Sequence, residues 1–227
     1  MKQMLRQPVI GLTILVFNML ILSTELSGQA NPAGSFPQLL FPNFSRGIIL
    51  MKSGETKSAL LNYNTVDEEM LFEQNGNYMV INKLDEIDTI YLQNRKFVLV
   101  GQAFYEVIVK GHVSLYIQQR NRFTPVGTKT AYGITSQTVG PSSVSTVRGQ
   151  GQSRNLEIPP NVTISPAIVY WAKIDGVMNK FTTEKQFIKI FPGKEDKIKG
   201  YLKNSRLELK SREGLLEAGK FCNELYK

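Results

Sequence analysis

Apolar and polar residues alternate in short runs between residues 47 and 123, a period of two that is typical of β-strands. Turn-forming residues separate these runs at close, regular spacing, which predicts neighbouring antiparallel strands. The predicted strands cover residues 47–52, 59–63, 70–72, 78–81, 87–92, 95–100, 105–110 and 113–118. The sequence therefore predicts a mainly β (α+β) fold, in which an antiparallel β meander forms a roll, barrel or sandwich.

Two residue pairs predict tight hairpin turns. Asn75 and Gly76 stand between two apolar runs, and Asp175 and Gly176 follow the strand-like residues 168–173. Both central residues of such a turn take positive φ angles, which Asn, Asp and Gly accept more readily than other residues.

The same alternation predicts which side chains share a face of a strand. Trp171 is expected on the face opposite Tyr170 and Ala172, and most aromatic residues are expected to fill the β core. Shared faces are also predicted in the two strands before residue 120: Tyr105, Val107 and Val109 in one, and Val113, Leu115 and Ile117 in the other.

After Phe181 the apolar period changes to that of helices. Thr183 and Gln186 have the spacing of a capping box, and Pro192 with Gly193 is expected to end this first helix. Ser211 is the predicted cap of the last helix. The apolar positions of the three helices are Phe187, Ile188 and Phe191, then Ile198, Tyr201 and Leu202, then Leu215, Ala218, Cys222 and Leu225.

The beginning of the chain has the layout of a secretory signal peptide. Lys2 and Arg6 precede an apolar stretch over residues 9–22, and small polar residues follow it. A membrane-spanning helix needs about twenty apolar residues, which is longer than this stretch. Residues 1–29 are therefore predicted to be a signal peptide, and no later apolar stretch is long enough to span a membrane.

Residues 30–46 carry three spaced prolines and are predicted to be an extended leader. Three apolar residues are expected to pin this leader to the core: Leu39, Leu40 and Phe41. The predicted domains are a β domain over residues 47–181 and a helical cap over residues 182–227 packed on it. Within the β domain, residues 124–154 lack apolar periodicity and form either a functional loop or a disordered excursion.

The formal charge of +8 is unevenly distributed. Residues 47–92 hold three lysines and eight acidic residues, whereas residues 93–154 hold eight basic residues and Glu106 alone. The basic segment is a candidate binding surface for an acidic envelope polymer or partner protein, and export makes nucleic acid an unsuitable partner. Alternatively, the acidic and basic segments neutralise each other. The residues assigned to this surface are Arg120, Arg122, Arg148 and Arg154.

Candidate chemistry is sparse. His112 and Cys222 are the single histidine and cysteine, so zinc lacks its usual ligands, and neither a metal nor a cofactor is predicted. The acidic runs 67–69 and 85–88 are interpreted as solvated turns rather than calcium loops. A Ser–His–Asp triad would need His112, and no Gly-x-Ser-x-Gly elbow is present.

Cys222 is interpreted as a small buried apolar residue. Since no cysteine lies near the end of the signal, a lipoprotein anchor is not predicted. A hydrolase of envelope or dietary polymers that uses two carboxylates at a defined separation stays open as the alternative function.

The opening at residues 47–54, the run 59–64 and the residues Phe191, Pro192 and Gly193 followed by a lysine-rich helix are similar to those of a group of exported Bacteroidota proteins of unknown function. Phe221, Cys222 and Asn223 complete the resemblance, which covers most of residues 47–227. It implies the periplasm or surface of a diderm bacterium and carries no catalytic residues. The predicted location is the periplasm, the cell surface or the extracellular space. The predicted function is an exported, non-enzymatic, envelope-associated binding or structural protein.

Overall fold

β-Branched and aromatic residues at alternating positions build one antiparallel sheet of ten strands. The structure is a computed structural model, and it describes residues 36–126, 128–129, 135–136, 153–158 and 162–227. The predicted signal peptide over residues 1–29 lies outside these residues, as does most of the polar region 124–154.

Fourteen strands and three α-helices are present in this part of the chain. The strands are β1 (Ser45–Met51), β2 (Thr56–Asn64), β3 (Glu69–Gln74), β4 (Asn77–Val80), β5 (Ile87–Leu92), β6 (Arg95–Val100), β7 (Ala103–Val109), β8 (Val113–Gln118), β9 (Asn121–Pro125), β10 (Thr128–Lys129), β11 (Thr135–Ser136), β12 (Val162–Pro166), β13 (Val169–Ile174) and β14 (Val177–Phe181). The helices are α1 (Glu184–Lys189), α2 (Glu195–Ser205) and α3 (Arg212–Glu224), and a 3-10 turn covers Leu84–Glu86.

The sheet has the strand order β14-β13-β8-β7-β6-β5-β1-β2-β3-β4, and all its neighbours are antiparallel. Strand β1 lies between β2 and β5, so the chain returns past its first strand instead of forming one simple meander. The predicted mainly β fold with three C-terminal helices is confirmed.

One face of this sheet, here called the inner face, is mainly apolar. In the first half it forms a roll, because the sheet folds over until β3 approaches β7. Leu61, Tyr63, Ile90, Phe97 and Phe104 fill this roll core and are at most 1% exposed. In the second half, the three helices cover the inner face.

The helical core contains Val113, Leu115 and Ile117 from β8, which confirms their predicted shared face. Leu215 and Cys222 of α3 pack in the same core and are 0% exposed. Asn223 joins α3 to the start of β8 through two hydrogen bonds. Its Oδ1 accepts from Val113 N at 2.9 Å, and its Nδ2 donates to Val113 O at 2.8 Å.

Both predicted hairpin turns are confirmed. The φ angles are 52° and 76° at Asn75 and Gly76, and 49° and 82° at Asp175 and Gly176. Ser211 caps α3, since its Oγ accepts from Gly214 N at 3.0 Å.

The capping box of α1 differs from the prediction in one bond. Thr183 Oγ1 accepts from Gln186 N at 3.2 Å, as expected. Gln186 Oε1, however, accepts from Thr182 N at 2.8 Å, one residue before the cap. The return bond therefore fixes the entry of the chain into the helix.

A β-bulge between Val107 and Val109 interrupts the alternation of β7. Tyr105 and Val107 lie on the face opposite the helices, whereas Val109 packs into the helical core. The prediction that Val109 shares a face with Tyr105 and Val107 is therefore wrong.

Strands β9 and β12 form a two-stranded arm that the polar sequence did not predict. They pair from Asn121 opposite Pro166 to Pro125 opposite Val162, and this ribbon continues the β8–β13 pair. A hydrogen bond from Ala167 N to Arg120 O, 2.8 Å, joins the two stretches.

Residues 153–156 lie at the β4 edge of the sheet. Ser153 bridges to Met79 of β4, and Arg154 N donates to Tyr78 O at 2.7 Å. Leu156 is buried beside Leu71 and Val80. Of the predicted leader, Phe41 is buried in the roll core, and β1 begins at Ser45 inside the predicted leader range.

Candidate functional site: the outer face of the sheet

The outer face of the sheet is the side opposite the three helices. Strands β6, β7, β8, β13 and β14 place a connected apolar cluster on it, and no helix residue belongs to that cluster. Its members are Tyr105, Val107 and Tyr116, with Val98, Val100, Ala103, Trp171 and Met178 packed against them.

Trp171 lies on the outer face, as its alternation with Tyr170 and Ala172 predicts. Its ring centroid is 5.9 Å from that of Tyr105, and its Nε1 donates to Gln118 Oε1 at 3.0 Å. The partly buried indole is therefore fixed by both stacking and a hydrogen bond.

A groove of about 450 Å³ crosses the outer face, and we call it the lysine groove. Exposed Lys52, Lys110 and Lys173 stand around it, and none of the three forms an ion pair with any residue that the structure describes. Its other lining residues are Ile87, Asp88, Val98, Leu99, Val100, Tyr116, Gly176 and Met178.

A second depression of about 340 Å³ continues the lysine groove toward the β7–β8 turn and shares Lys110, Lys173 and Tyr116 with it. Three ammonium groups beside one carboxylate, Asp88, leave the lysine groove with an excess of positive charge. Its apolar floor lowers the local dielectric, which strengthens attraction for an anion. The arrangement is suited to holding an acidic ligand without covalent chemistry.

His112 is an exposed turn residue, as predicted, and its described neighbours include Asp175 and Tyr226. His112 Nε2 is 3.5 Å from Asp175 Oδ1, and its ring lies 4.3 Å from that of Tyr226. Ser114 Oγ instead donates to Gly111 O at 3.2 Å. Within the described residues, no hydrogen bond joins Ser114 to His112.

The arginines assigned to the basic surface lie in different environments. Arg120 and Arg122 are on or beside β9 of the arm, where Arg122 is exposed and Arg120 Nε lies 3.7 Å from Glu68 Oε2. Arg154 is turned inward, because its guanidinium group binds both carboxylate oxygens of Glu69 at 2.8 Å. Arg148 lies outside the described residues. As a binding surface, the four arginines stay a prediction.

The interpretation of residues 67–69 as a solvated acidic turn is wrong for two of its three residues. Glu68 is 7% exposed and Glu69 is 9% exposed. Gln118 Nε2 donates to Glu68 Oε1, and Arg154 binds Glu69. Since the partners are far away in sequence, the local run of acids gave no sign of this burial.

Glu106 is fully buried at the boundary between the roll core and the helical core. It lies opposite Phe97 on one side and Ile117 on the other. Its oxygens accept from Arg95 Nη1 at 3.3 Å, from Gln119 Nε2 at 2.9 Å and from Arg212 Nε. The sequence showed Glu106 only as an isolated acid in an apolar strand.

The three buried glutamates of the described residues, Glu68, Glu69 and Glu106, are each close to arginine. A glycosidase acid needs an environment that keeps it protonated, whereas a guanidinium partner balances an ionised carboxylate. Each of these three carboxylates therefore has an arginine guanidinium group as an ion-pair partner.

The other candidate groups are Cys222 and the side chains that could bind a metal. Burial raises the pKa of the Cys222 thiol to about 12, so it is protonated at neutral pH, as its interpretation as a buried apolar residue requires. Among the described residues, no three His, Cys, Asp or Glu side chains converge as metal ligands would.

Comparison of the chain with protein-family models, with curated proteins and with solved structures gives no match. In the part of the chain that the structure describes, no helix has the length and apolar character for crossing a membrane.

Proposed function

We propose that this protein is an exported, non-enzymatic binding or structural protein of the cell envelope that holds an acidic polymer in the lysine groove. The observation that carries the proposal is the group of Lys52, Lys110 and Lys173 around an apolar floor, because none of the three forms an ion pair with a described residue. Exposed lysines usually gain little from one neighbour, but a polymer with repeated negative charges contacts several of them at once.

Export is part of this proposal and rests on the predicted signal peptide over residues 1–29 and on the resemblance to exported Bacteroidota proteins. An envelope location supplies acidic glycans and separates the protein from nucleic acid. We expect the protein from an envelope fraction to lack these residues by intact mass, and a full-length mass in the cytosolic fraction would contradict export.

The groove is tested with polygalacturonate, a carboxylated glycan polymer, as the probe. Changing Lys52, Lys110 and Lys173 together to Gln should weaken binding about tenfold, since three exposed ion pairs contribute about 0.5 kcal/mol each. The loss should shrink as salt rises, because the interaction is screened. Titration at several salt concentrations measures both effects.

The matched control changes exposed lysines on the helical side, Lys185, Lys189 and Lys199, to Gln. It lowers the net charge equally, and we expect its affinity to stay within about twofold of the unchanged protein. Equal losses in both variants would show that net charge alone attracts the polymer and would contradict the groove.

The arm is tested separately with Arg120→Gln and Arg122→Gln, which leave the Arg154–Glu69 pair intact. If this variant loses the salt-dependent binding and the groove variant keeps it, the basic surface that contains Arg120 and Arg122 is the binding site, and the lysine groove is not.

A further inference from the structure

Three of the exposed large apolar side chains lie together on the outer face of the roll. Ile48, Leu60 and Tyr91 are 48%, 44% and 41% exposed. They belong to the adjacent strands β1, β2 and β5, and Ile48 lies directly opposite Tyr91. Leu60 is opposite Arg46, two residues along β1 from Ile48, so it is the diagonal neighbour of Ile48. We call these three residues the apolar strip.

Single exposed apolar residues need no explanation, whereas a contiguous group marks a contact surface. The inward neighbours Leu61, Ile90 and Leu92 are at most 1% exposed, so the sheet core is complete without the apolar strip. Its exposure is therefore not a by-product of a poorly packed core.

Basic side chains stand beside the apolar strip. Arg46 is exposed opposite Leu60, and Lys96 lies opposite Tyr91 with its Nζ 5.6 Å from the Tyr91 ring centroid. Neither Arg46 nor Lys96 has an ion-pair partner among the described residues, and Glu73 is the acidic residue that flanks Leu60 on β3. The surface thus combines apolar contact area with uncompensated positive charge.

This combination argues against a second copy of the chain as the occupant. In a two-fold symmetric contact the same patch meets itself, so Arg46 and Lys96 would be brought near their own equivalents. Like charges brought together at an interface cost free energy. An anionic lipid surface instead offers hydrocarbon to Ile48 and Leu60 and negative headgroups to the basic residues.

We propose that the apolar strip, with Arg46 and Lys96, docks the protein on an anionic bilayer surface. Tyrosine is common at such interfaces, where its ring is apolar and its hydroxyl group stays hydrated. Lysine and arginine side chains can lie along apolar surface while their charges remain in the headgroup region. This contact uses other residues than the lysine groove, so it does not depend on the proposed polymer binding.

The test uses the purified protein with vesicles of phosphatidylcholine alone or with about a third phosphatidylglycerol. One variant changes Ile48, Leu60 and Tyr91 to Thr, which keeps strand propensity while removing apolar surface. Its control changes Ile168 and Val177 to Thr, because these residues are 38% and 61% exposed outside the strip. A second variant carries Arg46→Gln and Lys96→Gln and leaves the apolar residues in place.

We expect binding to the anionic vesicles only, about tenfold weaker in the strip variant and about fivefold weaker for each basic residue removed. The Ile168 and Val177 control and the lysine-groove variant should stay within about twofold of the unchanged protein. Because Arg46 is exposed and Lys96 is only partly buried, this variant should fold, and it tests the surface even if the strip variant does not fold.

Equal binding to neutral vesicles would overturn the role of the charges, and unchanged binding in both variants would overturn the surface itself. A concentration-dependent dimer that the strip variant abolishes would assign the surface to a second copy. Loss of vesicle binding in the lysine-groove variant alone would place lipid in the groove and reject the strip.

Discussion

The two halves of the sheet close the same apolar inner face in different ways. The roll half buries Phe97 and Phe104 by folding the sheet over itself, whereas the helical half buries Leu115 and Ala172 beneath α1, α2 and α3. Sheet curvature therefore buries the inner face in the roll half, and a layer of helices buries it in the helical half. Glu106 lies at the boundary between the two cores, where it forms ion pairs with Arg95 of β6 and Arg212 of α3.

The outer faces differ as well. Outside the roll, Ile48, Leu60 and Tyr91 are exposed in one group, whereas outside the helical half Tyr105 and Tyr116 are each 8% exposed. Beside the buried Tyr116 of the helical half, exposed Lys110 and Lys173 stand at the lysine groove, together with Lys52 from the end of β1. The outer face thus exposes a group of apolar side chains outside the roll and mainly lysines around the groove, and basic residues stand beside both.

The largest expected effect on the free energy of unfolding comes from creating a cavity in each core by a Phe→Ala substitution. Phe97→Ala in the roll and Phe187→Ala in the helical core each remove a fully buried ring, and each should lower the free energy of unfolding by about 3–5 kcal/mol. Urea titration followed by far-UV circular dichroism and by Trp171 fluorescence measures both. If the halves are one cooperative unit, the two signals change together in each variant. Separate transitions would show that the halves unfold independently.

The boundary between the halves is tested by Glu106→Ala. This change leaves Arg95 and Arg212 without their shared carboxylate, and we expect a loss of about 3 kcal/mol. Lys220→Ala, which removes an exposed ion pair with Glu217 on the same helix, is the control and should cost less than about 0.5 kcal/mol. Equal unfolding midpoints for these two variants would mean that the Glu106 cluster does not join the cores.

The close approach of α3 to the sheet is tested by Gly219→Ala. A Cβ at this position would lie 2.4 Å from Val109 Cγ1, so the Val109 side chain or the helix must shift, at a cost of about 1–3 kcal/mol. Gly200→Ala in α2 is the matched control, since a Cβ there meets nothing within 4 Å. It should stabilise by about 0.5–1 kcal/mol through helix propensity. Thermal unfolding gives both values, and stabilisation by Gly219→Ala would contradict the packing.

The smallest effect concerns Cys222. Since its pKa in the folded protein is raised to about 12 from 9.0, folding disfavours the thiolate, and the free energy of unfolding should fall only as the pH rises above about 9. Iodoacetamide at pH 8 should therefore label the unfolded chain and leave the folded one unmodified. Rapid labelling of the native protein would show that α3 opens locally.

Local chemistry explains which parts of this fold the sequence predicts. The Asn75–Gly76 and Asp175–Gly176 turns and the Ser211 cap depend on neighbouring residues, and all three are confirmed. The bulge at Val107 and Val109 and the arm of β9 and β12 depend on distant pairing, and alternation gives no sign of them.

From the sequence, only the positive charge of the candidate site could be predicted, and its residues could not. An excess of bases along residues 93–154 suggested a basic surface, but the lysine groove combines Lys110 of that segment with Lys52 and Lys173 from outside it. Glu68 and Arg154 illustrate the same difficulty, since each finds its partner through strand order and not through sequence distance. Charge counts along a chain cannot show which residues the sheet brings together.

The contact of Ser153 and Arg154 with β4 has a consequence for folding during synthesis. An open sheet edge is a template for pairing with other chains, and here its cover arrives from more than seventy residues further along the chain. Until that segment has been synthesised, the backbone groups on the edge of β4 are unpaired and can pair with a strand of another chain. A nascent chain arrested near residue 140 should therefore self-associate, while the finished chain carries its own protection against aggregation.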